Sequence, residues 1–147
     1  MSTIRSESRI SIGRSVPAAW AYVCDVGRWQ EWAPTVRRCW VVGGGELEVG
    51  SQLEQTAKGP LGTTHRRAQK VTELEPPNRI SFAGPMATSS ARWGMELDPL
   101  GDGETQAMMW VEVDLDGPMR AIPRVIRARI QRVMDVEMAL IKAAVEA

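Results

Sequence analysis

The sequence predicts an α+β domain in which a curved antiparallel sheet of about seven strands lies on a long C-terminal helix. Three observations predict it. The first third reads as an alternating strand, a capped helix and a tryptophan-rich turn. The middle has an apolar period of two, and from Gly117 onward the period becomes helical. Two short helical pieces, a run of strands and one long helix suit a sheet wrapped around that helix, an arrangement that usually encloses a cavity.

Each element has a local reason. Residues 3–13 place Ile4, Ile10 and Ile12 on one register of an opening strand. Ser15 can accept a backbone N–H as N-cap, and Pro17 is tolerated in a first helical turn. Trp20, Val23 and Cys24 then fall at helical spacing, and Gly27 ends that helix. A second short turn carries Trp29 and Trp32 and stops at Pro34. Strands are expected over 36–43, 49–59 and 63–75, separated by Gly43-Gly44-Gly45 and Gly59-Pro60-Leu61-Gly62. Pro76-Pro77-Asn78 turns the chain into Arg79–Ala83; Thr88–Leu97 follows, and Gly101-Asp102-Gly103 forms a hairpin into Glu104–Leu115. Short connections of this kind indicate an antiparallel meander. Gly117-Pro118 starts the last element, in which Pro123 either kinks the first turn or marks the start of the regular helix near Ile122. Ile122, Ile126, Ile130, Val133, Met134, Leu140 and Ile141 project as its apolar face, with Arg124, Gln131, Asp135 and Lys142 opposite.

The 147 residues fit one domain, 1–147, that buries roughly 70% of its unfolded surface. Lysine plus arginine equals aspartate plus glutamate, 18 against 18, so no global field draws nucleic acid or an acidic membrane. The arginines at 120, 124, 127, 129 and 132 scatter around the helix and make no nucleic-acid face. Cys24 and Cys39 lack metal-ligand spacing and read as buried free thiols. No stretch approaches the ~20 apolar residues of a membrane span, which makes cytoplasmic the expected location. Six tryptophans stand against one tyrosine and one phenylalanine. Indoles such as Trp29 and Trp32 either line a pocket for a ring-shaped ligand or simply fill the core.

Several fragments in order carry a resemblance: Val16-Pro17-Ala18-Ala19-Trp20, the 25–34 segment, Val49-Gly50-Ser51, the 71–80 segment and the 97–105 turn. Together with the final helix they resemble the START-like (SRPBCC) superfamily of helix-grip proteins, and within it the polyketide cyclase/dehydrase-like subgroup. That resemblance implies a helix-grip fold with an apolar cavity between helix and sheet. The fold hosts carriers, receptors, cyclases and chaperone activators alike. Two places depart from the relatives: Gln69-Lys70 replace an aromatic often found before the valine matching Val71, and Pro123 sits where the last helix starts.

If Val71 faces inward, as the resemblance implies, alternation carries Gln69, Arg67 and His65 to the same side. Met95 and Leu97 bring Trp93 with them, and Met109 and Val111 share a face of the seventh strand. The expected ligand-binding set is thus Trp29, Trp32, Gln69, Trp93, Met95, Met109 and Val111, with Ile126, Ile130 and Met134 from the helix. The alternative for the fourth strand leaves His65 and Arg67 in solvent. Glu137 is the odd residue, because its projected direction lies within the apolar stripe. It either pairs with an inward arginine such as Arg67 or Arg92, or acts as an acid/base group against a ligand. His65, Arg67 and Glu137 are the candidates for moving protons in any catalysis.

These readings imply a small hydrophobic, ring-containing ligand: a polyketide, a steroid-like molecule or a lipid. Cyclisation or dehydration of it is the enzymatic version, without cofactor or metal. A protein-interaction module with a filled core is the alternative, and a homodimer is left open. Nucleic acid and stable membrane insertion are not expected.

Overall fold

The computed structural model describes residues 2–86 and 89–147. Seven strands form one antiparallel sheet in the order β1-β7-β6-β5-β4-β3-β2, a meander closed at one side by the first strand. They are β1 (Ser2–Ile12), β2 (Val36–Val41), β3 (Gln52–Lys58), β4 (Thr64–Glu75), β5 (Arg79–Met86), β6 (Ser89–Gly101) and β7 (Glu104–Leu115). Between β1 and β2 stand α1 (Val16–Val23) and a 3-10 turn over Val26–Glu31; a second 3-10 turn, Gly117–Ala121, leads into α2 (Pro123–Glu146). This is the helix-grip architecture.

Local chemistry sets the ends of these elements. The Ser15 hydroxyl accepts from the Ala18 N–H at 3.4 Å and caps α1, with Pro17 in the first turn. The Gly43-Gly44-Gly45 run sits at φ 81°, 75° and 88°, left-handed backbone that favours glycine, so β2 stops at Val41. β5 runs on to Met86, beyond the expected Ala83, and β6 runs on to Gly101, beyond Leu97. Thr88, the expected start of β6, lies outside the described residues.

The two faces of the sheet differ sharply. Outward positions carry ion pairs: Arg5 with Glu7 and Glu112, Arg9 with Glu7, Arg66 with Glu54. Two tryptophans belong to this face. Arg5 lies 4.9 Å over Trp110, and Arg38 and Arg66 lie 5.3 and 5.7 Å from the Trp40 ring.

α2 crosses the inward face mainly along β1. Between the buried Ile4 and Ile12 of that strand stand Ser6 and Ser8, also buried, whose small side chains let the helix approach closely. Ser8 Oγ donates to Asp135 at 2.7 Å, Gln131 donates to the Glu7 carbonyl at 2.9 Å, and Lys142 donates to the Ser11 carbonyl at 2.6 Å. Gln131, Asp135 and Lys142 are therefore the rail that holds the helix to β1, not its solvent face. This rotates the apolar stripe. Met134, Met138 and Ile141 are its buried line, whereas Ile122, Val133 and Leu140, expected on that face, are 49%, 47% and 37% exposed.

Candidate ligand-binding site

The side chains between α2 and the sheet fall into two halves. On the side of α1, the aromatic residues pack closely. Phe82 stacks on Trp93 with ring centres 4.5 Å apart, and Trp29 meets both edge-on at 5.3 and 5.4 Å. Trp32 closes the cluster 5.7 Å from Trp29. Trp29 Nε1 donates to the Val23 carbonyl at 3.0 Å, which ties the cluster to the end of α1. Ile80, Met95, Leu97, Met109, Met134 and Met138 complete this core.

Several residues expected to line a hollow interior are thus core residues. Trp29 is 2% exposed, Trp32 3%, Met95 2%, Met109 1% and Met134 1%. Surfaces so thoroughly covered touch no space that admits water, because their neighbours are other side chains. The expected open, tryptophan-lined void is here a plug of indole, phenyl and thioether.

The other half is different. Gln69, Arg67, Trp93 and Val111 point inward from mid-sheet, and Ile126, Ile130 and Glu137 lie on the facing side of α2, yet all seven stay partly exposed. Val111 and Ile130 border both the main core and a smaller cluster of Ile4, Val113 and Leu115. These two side chains therefore join two separately packed regions.

The sheet side of this half carries a hydrogen-bonded band. Trp93 Nε1 donates to Gln69 Oε1 at 2.7 Å. The Gln55 amide on β3, with its oxygen turned toward Arg67, accepts from Nε at 3.2 Å and Nη2 at 3.1 Å. In the opposite orientation that oxygen accepts from Gln69 Nε2 at 3.3 Å; the charged donor makes the first arrangement the stronger. Register explains the band, because Gln55 is opposite Arg67 and Leu53 is opposite Gln69 across the β3–β4 pair. A Cβ at Gly84 would stand 2.6 Å from the Ala68 carbonyl, so β5 can approach Gln69 only with glycine there.

Glu137 faces this band from the helix. Among the described residues it has neither hydrogen bond nor ion pair, and burial raises its carboxyl pKa from 4.5 to about 7, with the charge of Arg67 pulling weakly the other way. Arg92 is not available to it. Trp93 points inward, so its neighbour points outward, where Arg92 meets Asp114 at 3.1 Å and Glu112 at 3.3 Å. His65 shares the inward register of Arg67 but lies at the exposed end of β4. Its ring covers the Gly59 backbone, where a side chain would otherwise stand, and contacts Thr63 Oγ1 at 3.3 Å. The structure thus brings Arg67 and Glu137 together and leaves His65 outside. The sequence pattern missed Gln55: nothing sets it apart before its register against Arg67 is known.

Two recesses lie elsewhere. One of about 460 Å³ is lined by Trp20, Cys24, Val26, Val41, Leu47 and Leu74, and one of about 530 Å³ lies against the β2–β3 loop. Among the described residues no group of His, Cys, Asp and Glu has the geometry of a metal site, and no helix is long and apolar enough to cross a membrane.

The seven-stranded sheet and the long C-terminal helix define a START-like ligand-binding domain. The chain belongs to the family described as polyketide cyclase / dehydrase and lipid transport, whose profile matches residues 3–146. Comparison with curated proteins gives no match. Among solved structures it is similar to a START superfamily protein from Mycobacterium smegmatis, with 15% identity, a TM-score of 0.78 and 97% of both chains covered. It is similar to the di-domain ARO/CYC BexL from the BE-7585A biosynthetic pathway, with 14% identity and a TM-score of 0.78, over 99% of this chain and 50% of that one. A protein from Thermus thermophilus gives 14% identity and a TM-score of 0.76, with 97% of both chains covered. At these identities the likeness is one of fold.

Proposed function

We propose that this protein binds one small hydrophobic molecule bearing a few oxygens in the half-open space between α2 and strands β4, β6 and β7. The observation that carries the reading is the Arg67–Gln55 and Gln69–Trp93 band set into an otherwise apolar surface. Buried polar groups of this kind fix a ligand's orientation, while Val111, Ile126 and Ile130 supply the apolar contact. The family and the similarity to a polyketide ARO/CYC protein support a ring-forming or ring-containing ligand. Filling the space tests the reading. Val111→Trp should keep the fold by circular dichroism and lose at least tenfold in affinity for the molecule that copurifies with the wild type, identified by mass spectrometry. Undiminished affinity in that variant would place the ligand elsewhere.

A catalytic version has its own support in the unpartnered Glu137 carboxyl, which changes protonation near neutral pH. In ring closure of a polyketone, Glu137 in its carboxylate form would take a proton from the carbon between two carbonyls. Arg67 would hold the enolate oxygen through the subsequent carbon–carbon bond formation. The proton would return to the new alkoxide. Full turnover by Glu137→Gln would dispose of this step.

A further inference from the structure

Arg67 differs from every other arginine on the described strands. Arg5, Arg9, Arg66, Arg79 and Arg92 point outward and each pairs with a carboxylate, while Arg37 and Arg38 on β2 are exposed to solvent. Arg67 points inward, is partly buried, and forms no ion pair among the described residues. Its immediate neighbour in sequence, Arg66, takes the Glu54 carboxylate on the outer face at 3.4 Å, and register denies that partner to Arg67. Gln55, a neutral amide, is what the protein offers it instead. A partly buried guanidinium whose hydrogen-bond partner is a neutral amide keeps most of its attraction for an anion.

We infer that the site takes an apolar acid, whose carboxylate or comparable oxyanion is held by Arg67 while Glu137 makes the second polar contact from the helix side. This rests on the binding reading above and narrows its ligand class. The guanidinium presents planar donors suited to two oxygens of one anion. Glu137, with no protein partner, can donate to such an anion only when it carries a proton, so an anionic ligand loads the site together with that proton. Among the described residues the one charge that bears on Glu137 is that of Arg67, acting from β4. On its own helix Asp135 is engaged by Ser8 and Gln131, and on the turn that carries Trp29 Arg28 and Glu31 are paired with each other. A neutral ligand of the same shape would need no proton and would leave the guanidinium without an anion.

Two matched probe pairs test this by isothermal titration at pH 7: 2-naphthoate against 2-naphthamide, and decanoate against decanamide. In at least one pair the acid should bind tenfold or more tighter than its amide, with an enthalpy that changes between phosphate and Tris as proton uptake requires. Arg67→Gln should abolish the preference, so that the acid binds no tighter than its amide. Glu137→Gln should keep the preference and lose the buffer dependence, which retains a test should the arginine variant not fold. Equal affinities of acid and amide, or a preference that survives in Arg67→Gln, would overturn the anion assignment while leaving a hydrophobic site intact. Failure of all four probes to bind would instead remove the binding reading, and this inference with it.

Discussion

Replacing Glu137 with glutamine should stabilise the protein, and only at the alkaline end of its range. The carboxyl pKa is raised from 4.5 to about 7 by burial against the apolar side chains of α2 and its surroundings. A raised carboxyl pKa means that the folded state holds the proton more tightly than the unfolded chain does. Below about 4.5 both states are protonated and the group costs nothing; above about 7 the folded state carries a desolvated anion. The wild type therefore loses stability as pH rises through that window. One pKa unit is worth ~1.4 kcal/mol, so the cost at pH 8.5 is on the order of 3 kcal/mol. Glutamine has nearly the shape of the protonated side chain and does not titrate. Urea unfolding followed by tryptophan fluorescence should find the two proteins alike at pH 4.5 and the variant more stable by ~3 kcal/mol at pH 8.5. For a chain of this size that corresponds to roughly 5–10 °C in Tm. The carboxylates of Glu7, Glu31, Glu112, Asp114 and Glu146 shift the other way, held down chiefly by hydrogen bonds from Arg5, Arg28, Arg5, Arg92 and Lys142 respectively. They are common to both proteins and cancel in the difference. A variant effect that is flat from pH 4.5 to 8.5 would refute the burial argument.

Gly94→Ala should cost ~2 kcal/mol, read as a lower urea midpoint, because a Cβ there would meet the Ile80 carbonyl at 2.7 Å and Trp110 Nε1 at 2.8 Å. The thiols of Cys24 and Cys39, both pushed up to about 12 by burial, should react slowly with a disulfide reagent at pH 8 and quickly once urea unfolds the chain. Trp93→Phe leaves Gln69 Oε1 without its 2.7 Å donor and should lower stability by ~1–2 kcal/mol in a thermal melt, with the Trp29 cluster retained by near-ultraviolet dichroism.

The fold was legible because its signals are local and redundant. The Ser15 cap, the glycine run at 43–45 and the Gly101-Asp102-Gly103 hairpin each determine a boundary without help from distant parts of the chain. The inward register of Gln69 and Arg67 followed from alternation below Val71, and the structure places Gln69 and Arg67 on the inner face. Helical projection was less informative about α2. It assumed a helix centred over the sheet, whereas hydrogen bonds from Gln131 and Lys142, and from Ser8 to Asp135, hold it to β1 and turn Val133 and Leu140 outward. The fate of the tryptophans was illegible for a related reason. Whether an indole lines a space or fills it depends on partners distant in sequence, and Trp29 packs on Phe82 and Trp93 from strands β5 and β6.

That off-centre helix gives the interior its division of labour. A helix seated on β1 brings Met134, Met138 and Ile141 down onto the aromatic cluster, where every lost methylene leaves a void and costs stability. The same seat holds Ile126, Ile130 and Glu137 above strands that carry polar side chains, and there the side chains stay partly exposed. Covering them with more protein would bury Ile130 but strand Arg67 and Gln69 in a dry core, at a desolvation cost larger than the apolar gain. Partial exposure keeps these groups near water. The polar band is thus incompatible with a fully closed core.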